Sequence, residues 1–420
     1  MGTHRTLLAI AAAVGIISII PTAASAQQSH DNSSSKDGSY SVALIGDQNY
    51  GCDLDLKTLT GFVQGVTVPK CSGALADDLP APVPPLGVPG RSKSNEMIRA
   101  INAAGVAFTI HDGDTKSGST ECRSSIVSAT LAQFNGLPDT ATNPGFDRPI
   151  VYTPGDNEWT DCHRFAFGKV PATELPAIPL AKLDELRKTF FTTSRSQGRA
   201  TIALATQTGY PENARWQQGA VIYVTINQPG SNNNFCSPNQ NTTVCDEGGE
   251  ATMRNAANMT WLKRAFKYAH EHDAEAVVIT GQGNPNFEAN AVVDLPTYDL
   301  NGYNEFLATV RDLTKRFEGQ VVYVHGDSHA MTFDHPLTDA ADLRDPVQVR
   351  NAKPIANFTR IETSGKEDSH WVKMTVYDDG PMLLTFEPMI VSANLGNNPN
   401  QLPWNVTTQP VKLDLPRIDD

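Results

Sequence analysis

Residues 150–164 read IVYTPGDNEWTDCHR, an apolar run that stops at a Pro-Gly pair and is followed at once by Asp156, Asn157 and Glu158. A buried strand that ends in this way delivers polar side chains to the carboxyl edge of a sheet. Four other apolar runs end in the same manner, in SVALIGDQNYG, VAFTIHDGD, AVVITGQGNPN and VVYVHGDSH. Their polar residues are Asp47, Asp114, Gln282, Asp327 and His329. Five such endings predict that several carboxylates converge in one cleft at the carboxyl ends of the strands, which we call the mouth.

Acidic side chains crowded into one mouth repel one another unless cations lie between them. A single Gly-Asp pair, taken alone, is better explained as a turn or a helix cap. Five polar endings at successive strands favour a site instead. Carboxylate and imidazole donors delivered by separate strands suit two divalent ions lying close together.

The segments between these endings alternate between strand and helix patterns. A strand at 40–45 is followed by a Pro- and Gly-rich loop, a helix that begins at Ser94 and stops at Gly105, and a strand at 106–110. Further strands are predicted at 220–227, 276–280 and 321–324, with helices at 250–270 and 306–317. The alternating runs 372–377 and 382–387 indicate an antiparallel addition. Repeated βαβ units produce mostly parallel sheets, so the predicted fold class is α/β.

The chain divides into four segments. Residues 1–26 carry Arg5, an apolar core and the small-residue pattern Ala24-Ser25-Ala26, which indicates a secretory signal peptide. A membrane anchor would need roughly 20 apolar residues, more than this core holds. A flexible linker at 27–39, one domain at 40–394 and an extended C-terminal tail at 395–420 follow. The mature chain is therefore expected to be secreted or periplasmic, with no membrane span.

Charge and cysteine content agree with export. The formal net charge is −13, and an acidic chain is a poor partner for nucleic acid because the phosphate backbone demands a basic face. Six cysteines without a CxxC motif favour disulfides over metal ligation in an oxidising compartment. Of the roughly 15 pairings that six cysteines allow, we favour the local one, Cys52–Cys71, Cys122–Cys162 and Cys236–Cys245.

The order of the polar endings resembles that of the calcineurin-like metallophosphoesterases. The blocks of that family are Asp-x-His, Gly-Asp, Gly-Asn-His-Glu/Asp, a lone His and Gly-His-x-His. In this chain they correspond to Gly46-Asp47-Gln48-Asn49, Gly113-Asp114, Gly155-Asp156-Asn157-Glu158, Gln282 and Gly326-Asp327-Ser328-His329. The resemblance covers about residues 40 to 390. It implies a metallophosphoesterase-like sandwich of two mixed β-sheets flanked by helices.

Several ligand positions depart from the family pattern. The unaltered ones are Asp47, Asp114 and His329. Asn49, Gln282 and Asp327 stand where the family has His, and Asp156 stands where it has Asn. The resemblance implies a first ion at Asp47, Asn49, Asp114 and His329, and a second at Asp114, Asp156, Gln282 and Asp327.

The two implied ligand sets differ in chemistry. The second contains oxygen donors alone, which favours Mg²⁺, Mn²⁺ or Ca²⁺ over zinc because zinc prefers imidazole and thiolate. The first keeps the imidazole of His329, so Fe, Zn or Mn suit it as well. The chain is therefore expected to use two divalent metal ions.

Asn157 occupies the position of a family histidine that protonates the leaving group or binds phosphate. An amide cannot supply a proton near neutral pH, so either the leaving group is a good one or another acid replaces it. His163, next to Cys162, is the first candidate, and His111 and His325 flank other polar endings. Each of these histidines, taken alone, is better explained as a structural one that bonds to a loop carbonyl.

The resemblance implies hydrolysis of a phosphate mono- or diester by metal-activated water, with a small-molecule ester as the partner. The alternative from a different class is a non-catalytic binding protein on the same scaffold, because the altered ligands could leave one ion or none. A metal-dependent hydrolase of another bond is a further alternative, since a fold does not determine chemistry. The chain has no GxSxG, Walker, dinucleotide-binding or HExxH motif, which disfavours other common hydrolase, NTPase and oxidoreductase classes.

Overall fold

The structure is a computed structural model, and it describes residues 38–48, 91–118, 120–136, 144–166, 169, 171–235, 249–285, 287, 301–343, 345–366, 369–394 and 412–418. The predicted signal peptide, Asn49 and the cysteine pairs Cys52–Cys71 and Cys236–Cys245 lie outside these residues.

The described residues form strands and helices in alternation along much of the chain. The strands are, in chain order, β1 Tyr40–Ile45, β2 Phe108–His111, β3 Ile150–Tyr152, β4 Ala205–Gln207, β5 Tyr210–Gln218, β6 Val221–Thr225, β7 Ala276–Thr280, β8 Gln320–His325, β9 Thr332–Asp334, β10 Phe358–Glu362, β11 Trp371–Val376, β12 Met382–Met389 and β13 Leu413–Pro416. The helices are α1 Arg91–Ala104, α2 Ser124–Asn135, α3 Ala177–Phe190, α4 Glu250–Glu271, α5 Asn301–Thr314 and α6 Pro346–Asn351. Short 3-10 turns cover Thr160–Ala166, Ala172–Glu174 and Ser392–Asn394.

The strands assemble into two mixed sheets. Sheet 1 has six strands in the order β13-β12-β11-β1-β2-β3, and sheet 2 has seven in the order β4-β5-β6-β7-β8-β10-β9. The neighbours β1, β2 and β3 run parallel in sheet 1, as do β6, β7, β8 and β10 in sheet 2. The remaining pairs are antiparallel. The predicted fold class, α/β with two mixed sheets flanked by helices, is confirmed.

Alternation along the strands separates three apolar layers. In β1, Val42 and Leu44 face the layer between the sheets, whereas Ala43 and Ile45 pack on the side of α1, α2 and α3. In β7, Val278 faces the same inner layer and its neighbour Val277 packs on the side of α4 and α5. Because side chains on a strand point to opposite faces in turn, buried strands of this kind are apolar throughout. The result is a four-layer arrangement of helices, sheet, sheet and helices.

Apolar elements were predicted well and polar strands were not. The strand at 40–45, the strand at 276–280 and the helix from residue 250 are confirmed. β5 and β10 were missed because both carry buried charged side chains. Glu212 of β5 is fully buried and lies 2.5 Å from Arg187 of α3. Arg360 of β10 pairs with Asp334 of β9 at 2.5 Å.

Three further predictions concern the disulfides, the C-terminal tail and membrane-spanning helices. The disulfide Cys122–Cys162 is confirmed and closes a separation of 40 residues. Leu413–Pro416, within the predicted tail, adds the edge strand β13 beside β12, so sheet 1 takes in part of that tail. Among the described residues, no helix is long and apolar enough to cross a bilayer.

Candidate functional site

The carboxyl ends of β1, β2 and β3 meet those of β6, β7 and β8 at one edge of the sandwich. Past β3, the Thr153 hydroxyl donates to the carbonyl of Ile226, which follows β6, at 3.1 Å. The backbone N–H of Asp327, past β8, donates to Oδ2 of Asp47, past β1, at 2.8 Å. Residues that are 280 positions apart in the chain are therefore neighbours at this edge.

Four of the predicted site residues adopt a left-handed backbone. Their φ angles are 47° for Asp47, 58° for Asp114, 74° for Asp327 and 64° for His329. Non-glycine residues rarely adopt this conformation, and such outliers cluster at functional sites where the surroundings hold them. The strained backbone turns these side chains away from the strand direction and into the mouth between the sheets.

Glycines beside the site allow the carboxylates to lie against the backbone. A methyl group at Gly46 would overlap the carboxylate of Asp112, and one at Gly326 would overlap that of Asp47. A methyl group at Gly155 would likewise overlap Asp114. The Gly residues of these three polar endings are therefore required by close approach, a use for which only glycine serves.

The first predicted ligand set is partly assembled. Asp47 is fully buried, and its Oδ1 lies 3.4 Å from Nε2 of His329, which is half-buried at the rim. This separation allows a carboxylate oxygen and an imidazole nitrogen to bind one ion from adjacent positions. Asn49, the remaining amide predicted for this set, lies outside the described residues.

Asp114 is held by Asn157. The backbone N–H of Asn157 donates to Oδ1 of Asp114 at 3.0 Å, and its side-chain amide donates to Oδ2 at 2.6 Å. Sγ of Cys122, in the disulfide with Cys162, lies 3.4 Å from the Asn157 carbonyl oxygen and braces this turn. Asn157 thus orients the carboxylate that was predicted to bridge two ions.

The second predicted set is arranged differently from the expectation. Oε1 of Gln282 accepts hydrogen bonds from the backbone N–H groups of Gly230 and Asp156, the latter at 3.3 Å. These two donors determine which end of the amide is oxygen, and Nε2 is buried without a hydrogen-bond partner among the residues that the structure describes. Gln282 could therefore ligate a cation only by turning its amide over.

The carboxylates of Asp156 and Asp327 both lie against Gly230. A Cβ placed on Gly230 would lie 2.6 Å from Oδ1 of Asp327 and 2.8 Å from Oδ2 of Asp156. Oδ2 of Asp327 accepts from the backbone N–H of Asn284 at 3.1 Å. Burial raises the pKa of Asp327, and the negative charges of Asp156 and Asp47 raise it further. The crowding of carboxylates predicted from the strand endings is present here.

Sequence reasoning missed a carboxylate of this cluster, Asp112. It is fully buried, its Oδ2 accepts from the Thr363 hydroxyl at 2.9 Å, and its Oδ1 has no hydrogen-bond partner among the residues described. Burial, followed by the charge of Asp47, raises the pKa of Asp112. The motif His-Asp-Gly-Asp contains two acids, and the family pattern assigns a role to the second alone.

A second missed group lies beside Asp156. The hydroxyl of Ser231 lies 2.7 Å from Oδ2 of Asp156 and 2.9 Å from Oδ1 of Asp161. Arg164 pairs with Oδ2 of Asp161 at 2.5 Å. Burial raises the pKa of Asp161 to about 7, with the charge of Asp156 as the next cause. The Pro-Gly before Ser231 was the signal that this loop lines the mouth.

The three candidate histidines differ in their surroundings. Burial lowers the pKa of His111 to about 4 and that of His325 to about 3, so both imidazoles are neutral near pH 7 and cannot act there as cationic acids. His163 is half-buried, and its Nδ1 contacts the carbonyl of Thr160 at 2.7 Å within the same turn. Burial also lowers the pKa of His163. Its role as the general acid stays a prediction.

A divalent cation suits the first ligand set better than the second. Within the described residues, no three His, Cys, Asp or Glu side chains already stand in a metal-holding arrangement. Each oxygen of Asp114 accepts a hydrogen bond from Asn157 and keeps a lone pair that could bind an ion. At the second position, the amide oxygen of Gln282 is already engaged by two backbone N–H groups.

The architecture and the strand-end motifs together define the class of fold. Two mixed sheets carry the motif blocks at the carboxyl ends of their parallel strands, in the order of the calcineurin-like metallophosphoesterases. The two mixed sheets that the resemblance implied are present, and membership of that family stays a prediction.

Comparisons with known proteins give weak similarities. No protein-family model and no curated protein matches the sequence. Similar solved structures include a purple acid phosphatase from seeds of yellow lupin, Lupinus luteus, with 10% identity and a TM-score of 0.43 over 86% of this chain. A dimetal phosphatase from Danio rerio has 9% identity and a TM-score of 0.42 over 84% of this chain and 96% of its own. PhoD has 12% identity and a TM-score of 0.44 over 84% of this chain and 67% of its own. The chain spans 52% of the lupin protein.

Proposed function

We propose that this chain is an exported, divalent-cation-dependent hydrolase of phosphate mono- or diesters. The observation that supports the proposal is the meeting of Asp47, Asp114, Asp156 and Asp327 at one edge of the two sheets. Buried carboxylates are costly unless a cation or a proton compensates them. The confirmed disulfide Cys122–Cys162 agrees with an oxidising compartment, secreted or periplasmic, but the signal peptide itself stays a prediction.

In this proposal the site residues form two cation positions. Asp47, Asp114 and His329 hold the better-formed cation position, with Asn49 as a further donor. Asp156 and Asp327 contribute oxygens to a second position that favours Mg²⁺, Mn²⁺ or Ca²⁺. A bound divalent ion supplies charge neutralisation for phosphoryl oxygens and lowers the pKa of a bound water.

The leaving group sets a limit on the substrate. The side-chain N–H of Asn157 donates to Asp114, and Asn157 has no acidic proton to give. A poor leaving group would therefore depart slowly. Esters of acidic alcohols or phenols need no such proton. The proposal therefore favours activated small-molecule phosphate esters or diesters.

Turnover by metal-depleted and reloaded protein tests the proposal. The protein is treated with a chelator, supplied with Mn²⁺, Mg²⁺, Ca²⁺ or Zn²⁺ in turn, and assayed with p-nitrophenyl phosphate and bis-p-nitrophenyl phosphate. We expect turnover with Mn²⁺, Mg²⁺ or Ca²⁺, and Asp47→Asn should reduce it by about 100-fold or more. Asp184→Asn, an exposed member of a surface pair with Lys188, is the matched control and should be as active as the parent. Turnover that survives chelation and Asp47→Asn would contradict the proposal.

A second candidate function is favoured by the hydrogen bonds of Gln282 and Asn157. Asn157 donates to a carboxylate oxygen of Asp114, and Gln282 accepts from two backbone N–H groups, so both amides are bonded without a second ion. A protein of this kind would bind a phosphate-containing ligand without hydrolysing it. Saturable binding of an ester with no turnover under any of the four ions would support this alternative.

A further inference from the structure

A left-handed turn, Gly230–Asn233, follows β6 and forms one wall of the mouth. Ser231 has φ 50° and ψ 48°, and Asn232 has φ 56° and ψ 35°. Residues other than glycine rarely adopt this conformation, so the run needs strong interactions to hold it. The buried Arg254 of α4 supplies them by donating to Oδ1 of Asn233 at 2.5 Å and to the Asn233 carbonyl at 2.8 Å. The wall is therefore held from behind, without help from the side chains in front of it.

Arg164, in the turn that follows β3, reaches toward this wall. Its Nη1 pairs with Oδ2 of Asp161 at 2.5 Å, and its Nη2 lies 3.5 Å from the hydroxyl oxygen of Ser231. Oδ1 of Asp161 accepts from the same hydroxyl at 2.9 Å. Only 4% of the Asp161 side chain is accessible, against 48% for Arg164. A buried carboxylate, itself fixed through both oxygens, therefore orients a guanidinium that is half exposed.

The guanidinium of Arg164 also lies beside the strand-end residues of sheet 1. A Cβ placed on Gly118, in the loop after β2, would lie 2.6 Å from Oδ1 of Asn157 and 3.5 Å from Nη1 of Arg164. The side-chain amide of Asn157 in turn donates to Asp114. On its other side, the Ser231 hydroxyl joins Arg164 to Asp156. The positive charge is therefore placed at the rim of the mouth, next to the residues that bind Asp114 and Asp156.

Arg164 keeps hydrogen-bond donors for a further acceptor. A guanidinium carries five N–H groups in a planar fork, and within the described part of the chain its partners are Asp161 and Ser231. The fork matches the oxygens of a phosphoryl group, and the guanidinium stays charged at any ordinary pH. A side chain that is already oriented loses less entropy when it binds. A purely structural role explains this less well, because a long contact at an exposed guanidinium adds little to a turn that Arg254 already holds.

We propose that Arg164 binds the terminal phosphoryl group of the substrate and thereby selects phosphate monoesters over diesters; this selectivity rests on the proposed function. A monoester carries a charge of about −2 near pH 7 and has three oxygens that are free to accept hydrogen bonds. In a diester one of these oxygens bears a second organic group, and the phosphate has a single negative charge. The guanidinium recognises the additional charged oxygen by charge-assisted hydrogen bonds, which a diester does not offer it.

Calorimetric titration with two small probes tests this proposal without requiring turnover. The full chain, in buffer that contains Mn²⁺, is titrated with methyl phosphate and with dimethyl phosphate. We expect the parent to prefer methyl phosphate. Arg164→Met should weaken methyl phosphate binding by about 10-fold or more and change dimethyl phosphate binding by less than about 3-fold. Arg164→Lys, which keeps the charge and loses the fork, should fall between them. Equal affinity of the parent for the two probes, or an unchanged preference in Arg164→Met, would overturn the proposal.

Arg99→Met is the matched control. Arg99 pairs with Glu96, three residues before it in α1, at 2.5 Å and has 41% of its side chain accessible, so its local geometry resembles that of Arg164 with Asp161. It lies outside the strand-end motifs. This variant should bind both probes as the parent does. A loss of preference for methyl phosphate in Arg99→Met as large as that in Arg164→Met would overturn the assignment to Arg164.

The two proposals fail in different ways. If Arg164→Met hydrolyses p-nitrophenyl phosphate and bis-p-nitrophenyl phosphate with the same ratio of kcat/KM values as the parent, Arg164 does not select monoesters, and the cation-dependent hydrolase stands. Loss of methyl phosphate binding in Arg164→Met, in a protein that hydrolyses no phosphate ester, would support the role of Arg164 and contradict the proposed function.

Discussion

At the scale of single residues, the amide of Gln282 departs most from the predicted ligand set. Its oxygen accepts from two backbone N–H groups, and its buried nitrogen has no hydrogen-bond partner within the described part of the chain. A buried donor left unpaired costs about 1–3 kcal/mol. The amide therefore offers no uncommitted oxygen to a cation unless it turns over.

Gln282→Glu should supply such an oxygen. One carboxylate oxygen can keep the two backbone hydrogen bonds, and the other replaces the N–H with a charged oxygen beside Asp156 and Asp327. We expect the metal-free protein to lose stability from the added negative charge and to gain affinity for Mn²⁺ or Ca²⁺ of about 10-fold or more. The measurement is the melting temperature with and without each ion, followed by calorimetric titration.

Gln320→Glu provides the matched control. Gln320 is also a buried glutamine, but it donates to the carbonyl of Pro416 in β13 and is remote from the strand-end motifs. This variant should lose stability and show no gain in ion dependence. Equal ion affinity in Gln282→Glu and the parent would show that position 282 does not face a cation.

The residues of the site were predictable from the sequence only where they belong to a strand-end motif. Asp47, Asp114 and Asp327 follow apolar runs directly, so the strand pattern places them at the edge. Asp161 lies five residues beyond the strand-end Asp156, and Ser231 lies in an irregular loop. Their roles depend on which loops face each other across the two sheets, and no local pattern contains that information.

At the scale of elements, α4 and the left-handed turn form one unit. Arg254 has 0% of its side chain accessible and pairs with Glu250 at 2.7 Å within the helix. It holds the turn Gly230–Asn233 by donating to Oδ1 of Asn233 at 2.5 Å. Removing one partner of a buried ion pair leaves the other groups unsatisfied, which is far more costly than losing a surface pair. The strained turn should therefore depend on this one side chain.

Arg254→Met should destabilise the fold by about 3–5 kcal/mol. Urea unfolding followed by circular dichroism measures the change. Lys267→Met is the matched control because Lys267 pairs with Glu271 on the same helix but with 70% of its side chain exposed, and it should have no measurable effect. If both variants unfold at the same urea concentration, the buried guanidinium does not hold the turn.

Elements were predictable from the sequence in proportion to how apolar they are. The strands at 40–45 and 276–280 agree with the structure because every residue between their ends is apolar or small. β5 reads YPENARWQQ and gives no such pattern, yet Glu212 and Asn213 are fully buried in it. Their burial depends on partners from other elements, Arg187 for Glu212 and Asn258 for Asn213.

At the scale of the whole molecule, the site lies at the seam between the sheets, where the carboxyl ends of their parallel strands meet. Sheet 1 contributes Asp47, Asp114 and Asp156, while sheet 2 contributes Asp327 and Gln282. The alternation of strand and helix predicted the α/β class, the family resemblance implied the two sheets, and the polar strand endings predicted that their ends would meet. The distances at the seam were not predictable, because they depend on how three apolar layers pack against one another.

In the proposed function these strand-end side chains hold a divalent cation. Anomalous diffraction from a crystal of the full chain soaked in Mn²⁺ measures this directly. We predict a peak beside Asp47 and His329, with an oxygen of Asp114 among the ligands. A map with no peak at this edge would contradict the proposed cation site.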